Sequence, residues 1–315
     1  MPELPEVEVV RAGLEPAVTG ATITGVDVFE TRSLRRHDRA FGDFSEVLTG
    51  RSMKAPARRG KFLWIPLESR APGDAPLAIV AHLGMSGQIL LREPGAPDDA
   101  QLRIRLHLDS PGHGELWVNF VDQRIFGSMS VDALVPTADG RAGGFGTDDA
   151  LVPSQVSHIA RDPLDPAFDD KLFAKALARK NTGIKRALLD QTLISGVGNI
   201  YADEALWAAK LHYAQPTSSL SQARIRVLLA EVRLVLARAL AEGGTSFDAQ
   251  YVNVNGASGY FARHLHSYGR DGQPCDRCGT PIQRDRFMNR SSFFCPRCQR
   301  ARNYLGLIAG TIHTA

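Results

Sequence analysis

All four cysteines fall in one short stretch, as Cys275-x2-Cys278 and Cys295-x2-Cys298 with sixteen residues between the pairs. Paired CxxC units at that separation are what a tetrahedral thiolate site for Zn2+ needs, and four sulfur ligands close the shell, so such an ion is structural rather than catalytic. Disulfides fit less well in a chain that opens without a signal peptide and has no other cysteine. Around these cysteines, Arg263, Arg270, Arg277, Arg284, Arg286, Arg290, Arg297, Arg300 and Arg302 stand against only Asp271, Asp276 and Asp285, while the whole chain has a net charge of just +3. A local cationic excess of this size suits a phosphate-binding surface, and equally a solvated basic face. At the other end, Met1 is followed by Pro2 and Glu3. Removal of Met1 leaves Pro2 with a secondary amine. The reference α-amino pKa is about 7.7–8.0, so part of it is neutral and nucleophilic near neutral pH. Glu3 beside it is a candidate general acid. The same Pro2 also fits an ordinary first helical turn.

These groups need a scaffold, and a chain of 315 residues can bury a large core and form two or more domains. The opening residues read as a helix: Pro5 suits the first turn, Glu6 and Glu8 suit the dipole, and Val7, Val10 and Leu14 share a face, with Pro16 and Gly20 ending it. From about Ala21 to Val131 the pattern is strand-like. Leu102, Ile104, Leu106 and Leu108 alternate with Arg103, Arg105 and His107, and similar segments surround Phe62–Leu67, Ile79–His82, Gln88–Leu91 and Leu116–Val121. The Gly- and Asp-rich stretch Pro136–Pro153 reads as a linker. Helical periodicity follows over Lys171–Arg179, Ile184–Gln191, Ile200–Lys210 and about Gln222–Glu242, closed by Gly243 and Gly244. No apolar run is long enough for a membrane span. The expectation is a cytoplasmic, bacterial-type protein of α+β multidomain class: an N-terminal β-sandwich with flanking helices, a helical domain, and a C-terminal four-cysteine zinc-finger β-hairpin.

Three segments taken together, Met1-Pro-Glu-Leu-Pro-Glu-Val-Glu8, Gly196-Val-Gly-Asn-Ile-Tyr201 and the four-cysteine finger, resemble the bacterial formamidopyrimidine-DNA glycosylases, in family order from residue 2 to about Gln299. The resemblance implies a catalytic β-sandwich domain at 1–131, a linker at 132–153, a helix–two-turns–helix DNA-binding domain at 154–250, a lesion-recognition loop at 251–262, a zinc finger at 263–302 and a tail at 303–315. It implies a base-excision-repair glycosylase with AP-lyase activity that removes 8-oxoguanine and formamidopyrimidines from duplex DNA through a Pro2 Schiff base, then cleaves the strand by β,δ-elimination. The catalytic set it implies is Pro2, Glu3 as general acid, Lys61 on a phosphate, and Arg290 gripping the phosphates that flank the lesion.

The same resemblance makes Met85, Arg124 and Phe126 the side chains that fill the gap left by a flipped base, a wedge, a guanidinium and an aromatic plane suited to that task. It puts Asn199 in a glycine-flanked turn near phosphate, and Lys180 and Lys185 on DNA-facing elements. One structural Zn2+ and damaged double-stranded DNA are the implied cofactor and partner, with monomeric action, no obligate protein partner and no membrane. Two departures bear on affinity: Ile125 stands where the family repeats arginine, and Arg103 stands near a missing histidine, either supplying an equivalent contact or marking a register shifted by the insertions around Pro94–Ala100. A pyrimidine-preferring endonuclease VIII-like enzyme and a non-catalytic damage binder of the same fold are the alternatives.

Overall fold

The computed structural model describes residues 2–244, 254 and 261–300, and the chain divides into two compact units. One holds the described residues up to His158 together with Glu242–Gly244 and Val254; the other holds Ile159–Ala241 and the described residues from Phe261.

The first unit begins with helix α1 (Leu4–Val18), followed by strand β1 (Thr22–Val28) and helix α2 (Phe44–Leu48). Eight more strands follow: β2 (Ala57–Arg59), β3 (Phe62–Pro66), β4 (Leu77–His82), β5 (Gly87–Arg92), β6 (Leu102–Ser110), β7 (Gly114–Asp122), β8 (Ser128–Pro136) and β9 (Leu151–Pro153). They form two antiparallel sheets, ordered β1-β6-β7-β5 and β2-β3-β4-β8-β9. Period-2 alternation explains the core: Ile104, Leu106, Leu108, Val118 and Phe120 of one sheet pack in a single cluster with Leu63, Ile65, Ile79, Ala81 and Val131 of the other. The α1 stripe of Val7, Val10 and Leu14 joins that cluster. Full burial of each such aliphatic side chain contributes roughly 1.5–3 kcal/mol, which fixes the helix that carries Pro2 and Glu3 onto the sandwich.

Three sequence expectations change here. Helix α1 continues through Pro16, and its end is closed by the Thr19 N–H and hydroxyl, both donating to the Glu15 carbonyl. A proline so near the C-terminus removes one helical N–H donor and leaves the preceding turns intact. The stretch 132–153 is not a free linker: it completes β8, supplies edge strand β9, and bridges back to Arg58 through Phe145. Its glycines serve close packing; a Cβ on Gly144 would overlap the Arg58 carbonyl. Of the proposed loop 251–262, Val254 is buried in the sandwich core, where its carbonyl accepts from Leu91 N–H at 3.0 Å. Residues 251–253 and 255–260 of that loop, and the tail 303–315, lie outside the described residues.

The second unit contains helices α3 (Asp170–Arg179), α4 (Ile184–Leu188), α5 (Asn199–Ala208) and α6 (Gln222–Ala241), then the hairpin β10 (Gln283–Phe287) and β11 (Arg290–Phe294). Helix α6 buries Ile225, Leu228, Leu229, Val232 and Leu236 on one face, as its periodicity predicts. The finger has a small core of Trp207, Ile282, Phe293, Cys275 and Cys295, so it is built onto α5.

Candidate active site and nucleic-acid interface

Pro2 and Glu3 are buried at the start of α1, where Glu3 is the N-cap residue and its N–H donates to Glu6 Oε2 at 2.8 Å. Glu6 is thus the reach-back arm of a capping box. It fixes the peptide next to Pro2.

Lys61 is half-buried in the two-residue turn Gly60-Lys61 that joins β2 to β3. A buried relay ties this turn to α1. Glu8 accepts from Arg11 Nε at 2.9 Å and from Arg58 Nε at 2.8 Å, and Arg58 also donates to the Gly60 carbonyl at 3.1 Å. Sequence reasoning missed Arg58 and Glu8 as supports. The available signal was a charged pair, Arg58-Arg59, opening an otherwise apolar strand run.

The three expected gap-filling residues lie on neighbouring loops. Met85 is 42% exposed on the β4–β5 turn; Phe126 is 52% exposed and Arg124 is exposed on the β7–β8 loop. Asp122, fully buried, joins the loops: its carboxylate accepts from the Ser86 hydroxyl at 2.6 Å, the Gly127 N–H at 2.6 Å and the Arg124 N–H at 3.2 Å. Gly84, with φ of 64°, lets the Met85 turn lie against the Phe126 peptide, which any Cβ at that position would overlap. Arg35 donates to the carbonyls of Ile125 and Gly127, both at 2.9 Å, and to that of Phe126. Ile125 adopts φ of 56°, a strained value for a β-branched residue, and these contacts hold it there. Asp122 and Arg35 were invisible as site residues in the sequence because their partners, mostly backbone groups, are brought together only by the fold.

His82 precedes this turn, and its Nδ1 accepts from Gly84 N–H at 3.2 Å. Burial, followed by the positive charges of Arg36, Lys61 and Arg35, lowers its pKa to about 4, so the ring is neutral at physiological pH. Arg35, Arg36 and Lys61 thus concentrate positive charge around His82. Arg103, half-buried, donates to the Asp122 carbonyl at 2.8 Å and to Gln101 at 2.5 Å, so its guanidinium braces the loop.

In the second unit, Asn199 opens α5 and is buried, its Nδ2 donating to the Ser291 carbonyl at 3.2 Å. That contact links the glycine-flanked turn to the strand carrying Arg290, which is exposed and immediately follows the Met288-Asn289 hairpin tip. Lys180 is 43% exposed and paired with Asp190 at 2.8 Å. Lys185 corrects its sequence assignment. It is wholly buried, 2.7 Å from Asp203 and 3.1 Å from both the Ser291 carbonyl and the Ser292 hydroxyl. Enclosed in this way it cannot meet a phosphate directly; it holds the hairpin from beneath. Asp203 completes the brace by accepting from Ser292 Oγ at 3.1 Å and Phe293 N–H at 3.0 Å.

The sulfur atoms of Cys275, Cys278, Cys295 and Cys298 lie within 4.8 Å of one another, and all four thiols are free. A tetrahedron with Zn–S of ~2.3 Å has S···S edges of ~3.8 Å, so the cluster fits one structural Zn2+. Trp207 Nε1–H donates to Cys275 Sγ at 3.3 Å and Cys298 N–H to Cys295 Sγ at 3.4 Å, outer contacts that suit thiolate ligands.

Comparison with known proteins agrees with this layout. Family models described as formamidopyrimidine-DNA glycosylase N-terminal domain, formamidopyrimidine-DNA glycosylase H2TH domain, and zinc finger found in FPG and IleRS match residues 1–129, 159–250 and 272–301. The formamidopyrimidine-DNA glycosylase of Leifsonia xyli subsp. xyli is 73% identical over 95% of this chain and 100% of its own length. That of Nocardioides sp. is 56% identical over 96% and 95%. Among solved structures, a complex of Lactococcus lactis Fpg with abasic-site DNA superposes with TM-score 0.76 at 30% identity, covering 95% of this chain and 100% of that one. A complex of the wild-type L. lactis protein with DNA containing an oxidised pyrimidine gives the same values.

Proposed function

This chain belongs to the formamidopyrimidine-DNA glycosylase family, and on that footing we propose that it excises oxidised purines from duplex DNA through a covalent bond to Pro2. It is a base-excision-repair glycosylase with AP-lyase chemistry and one structural Zn2+. The Pro2 amine attacks the sugar C1′, and the N-glycosidic bond breaks with its electron pair leaving on the base. Glu3 gives a proton to the ring oxygen as the sugar opens, which produces an iminium between Pro2 and C1′. The iminium acidifies the C2′ proton; its loss expels the 3′ phosphate, and a second elimination expels the 5′ phosphate. Lys61 and Arg290 neutralise those phosphates, Arg290 through its fixed fork. Met85, Arg124 and Phe126 occupy the gap in the stack, with Arg124 pairing to the widowed cytosine.

The observation that carries this reading is the buried Pro2-Glu3 start of α1, locked by Glu6 and tied through Glu8 and Arg58 to the Lys61 turn. Borohydride added to the protein with 8-oxoguanine duplex tests it: a covalent adduct mapping to Pro2 is expected. Tight binding with no adduct would instead favour a non-catalytic damage binder. The L. lactis complex with an oxidised pyrimidine favours a wider lesion range as a second reading, and thymine glycol duplex in the same assay measures it. We infer monomeric action in the cytoplasm; no helix among the described residues is long and apolar enough to cross a membrane.

A further inference from the structure

The second unit carries a cleft of about 840 Å³ that the proposed reaction does not use, lined by Lys210, Arg224, Arg277, Arg297 and Arg300 with Gln215, Ser219, Ser221 and the outer faces of Cys278 and Cys298. It has no Asp or Glu in its lining. The nearby Asp276 is already engaged by Arg270 at 2.6 Å and His266 at 2.7 Å. Five cations, Lys210, Arg224, Arg277, Arg297 and Arg300, outweigh the net charge of about −2 on a zinc–tetrathiolate centre, and the excess positive charge in one concavity focuses potential and draws anions. The cleft sits at the cysteine end of the finger, and the Arg290 tip is roughly 13 Å further along the hairpin at ~3.3 Å per residue. The cleft and the Arg290 tip are therefore separate places on the finger.

We propose that this cleft is a second phosphate-binding site that takes the backbone of another nucleic-acid segment. This goes beyond the lesion chemistry and rests on the proposed function only in treating Arg290 and the Asn199 turn as the first DNA contact. The lining argues for a run of phosphates rather than a nucleotide. A base needs an aromatic platform, but the Trp207 ring is covered by His266, stacked at 4.4 Å, and by the Arg277 guanidinium at 4.0 Å. A metal-bound triphosphate needs a carboxylate, and none is there. Guanidinium forks with Ser and Gln hydroxyl and amide donors are the equipment for phosphodiester oxygens read without sequence. A protein that grips two segments can pass from one to the other without release into solution.

The test uses the full-length, zinc-loaded protein saturated with an unlabelled hairpin duplex bearing a non-cleavable abasic analogue. A labelled undamaged duplex is then titrated by anisotropy over a range of salt. Wild type is expected to bind this second duplex. Lys210→Glu with Arg224→Glu should weaken that binding at least about tenfold and lower the log–log salt slope by about two. The pair Lys210→Arg with Arg224→Lys should retain it, and 8-oxoguanine cleavage should be unchanged in all forms. Absence of second-duplex binding in wild type, or binding indifferent to charge reversal, overturns the proposal. So does binding of inorganic tripolyphosphate to the cleft without binding of duplex. Failure of 8-oxoguanine cleavage in wild type would sink the enzymatic reading and leave the anisotropy result standing by itself.

Discussion

Arg58 and Glu8 form a buried ion pair, with Arg58 Nε donating to Glu8 Oε2 at 2.8 Å and the two side chains only 2% and 11% exposed. The pair spans fifty residues of sequence to join the helix that follows Pro2 and Glu3 to the strand that ends at the Lys61 turn. Arg58 also holds the Gly60 carbonyl, so its guanidinium fixes the turn that carries the proposed phosphate ligand Lys61, while Glu6 separately holds the peptide beside the proposed nucleophile Pro2.

Arg58→Met should therefore separate positioning from chemistry. Removing one partner of a buried pair costs about 3 kcal/mol here, since Arg11 still compensates Glu8. Urea unfolding reads that loss. In the folded fraction, borohydride trapping at Pro2 should persist while the strand-cleavage rate falls about tenfold, because Lys61 acts after the covalent step. An equal fall in both would mean that Arg58 supports the whole sandwich and not the turn.

Asp122→Asn keeps the shape of the loop junction but turns one acceptor into a donor. One carboxylate oxygen accepts from Ser86 and Arg124, the other from Gly127, so either amide orientation leaves the side-chain NH2 facing a backbone N–H, that of Arg124 or that of Gly127. A cost of about 2–3 kcal/mol follows from the unmade, charge-assisted bonds. Stopped-flow fluorescence of a 2-aminopurine beside the lesion should show slower base extrusion, with affinity for a single-stranded abasic oligonucleotide little changed. Unaltered extrusion would separate the junction from base flipping.

Much of this was readable before the fold was known, and the reasons differ by element. The strands of the sandwich follow from strict alternation such as Leu102 to Leu108, and the zinc cluster from cysteine spacing alone. Pro2 and Glu3 stand out as a proposed catalytic pair only with the family resemblance, because their local sequence equally describes a helix start. Lys185 was misread because a lysine near a DNA-binding turn looks exposed on paper, whereas its partner Asp203 lies a helix away and its others, Ser291 and Ser292, lie more than a hundred residues on. Arg103 carries a contact that its sequence position did not announce, a hydrogen bond to the Asp122 carbonyl on the neighbouring strand.

The neutral His82 gives a pH signature. Its folded pKa of about 4 lies below the usual 6.5, so the unfolded chain takes up a proton first as pH falls. Its contribution is full above about pH 6.5 and is lost progressively as the pH drops towards about 4, up to about 3 kcal/mol. Thermal unfolding should show this slope in wild type, and His82→Gln should flatten it. A His82 ring that titrates near 6.5 by NMR would remove the argument.

Chelation of the metal should affect DNA binding far more than the sandwich. The finger's small core includes Cys275 and Cys295 as packing residues, and Trp207 donates to Cys275, so loss of Zn2+ frees four thiolates around one indole. Treatment with a strong chelator is expected to shift Trp207 emission and lower duplex affinity at least about a hundredfold, while residues 4–136 keep their amide protection in hydrogen exchange. Loss of protection in the sandwich as well would show that the metal supports both units.

Lys185 offers the sharpest contrast between bracing and direct contact. A lysine on phosphate, when removed, lowers the salt slope of DNA binding by about one and leaves protein stability nearly alone. A lysine 0% exposed against a carboxylate 1% exposed does the reverse. Lys185→Met leaves the buried Asp203 without its opposing charge and should cost about 3–5 kcal/mol, with the salt slope unchanged. Adding Asp203→Leu removes the orphaned charge and should restore much of that stability, although Ser292 Oγ and Phe293 N–H then lose their acceptor. The double mutant should consequently fold with a hairpin less firmly held beneath Arg290. Its expected phenotype is near-normal unfolding, normal trapping at Pro2, and a selective fall in the final elimination product. A slope that drops by one in Lys185→Met would return the residue to the DNA surface.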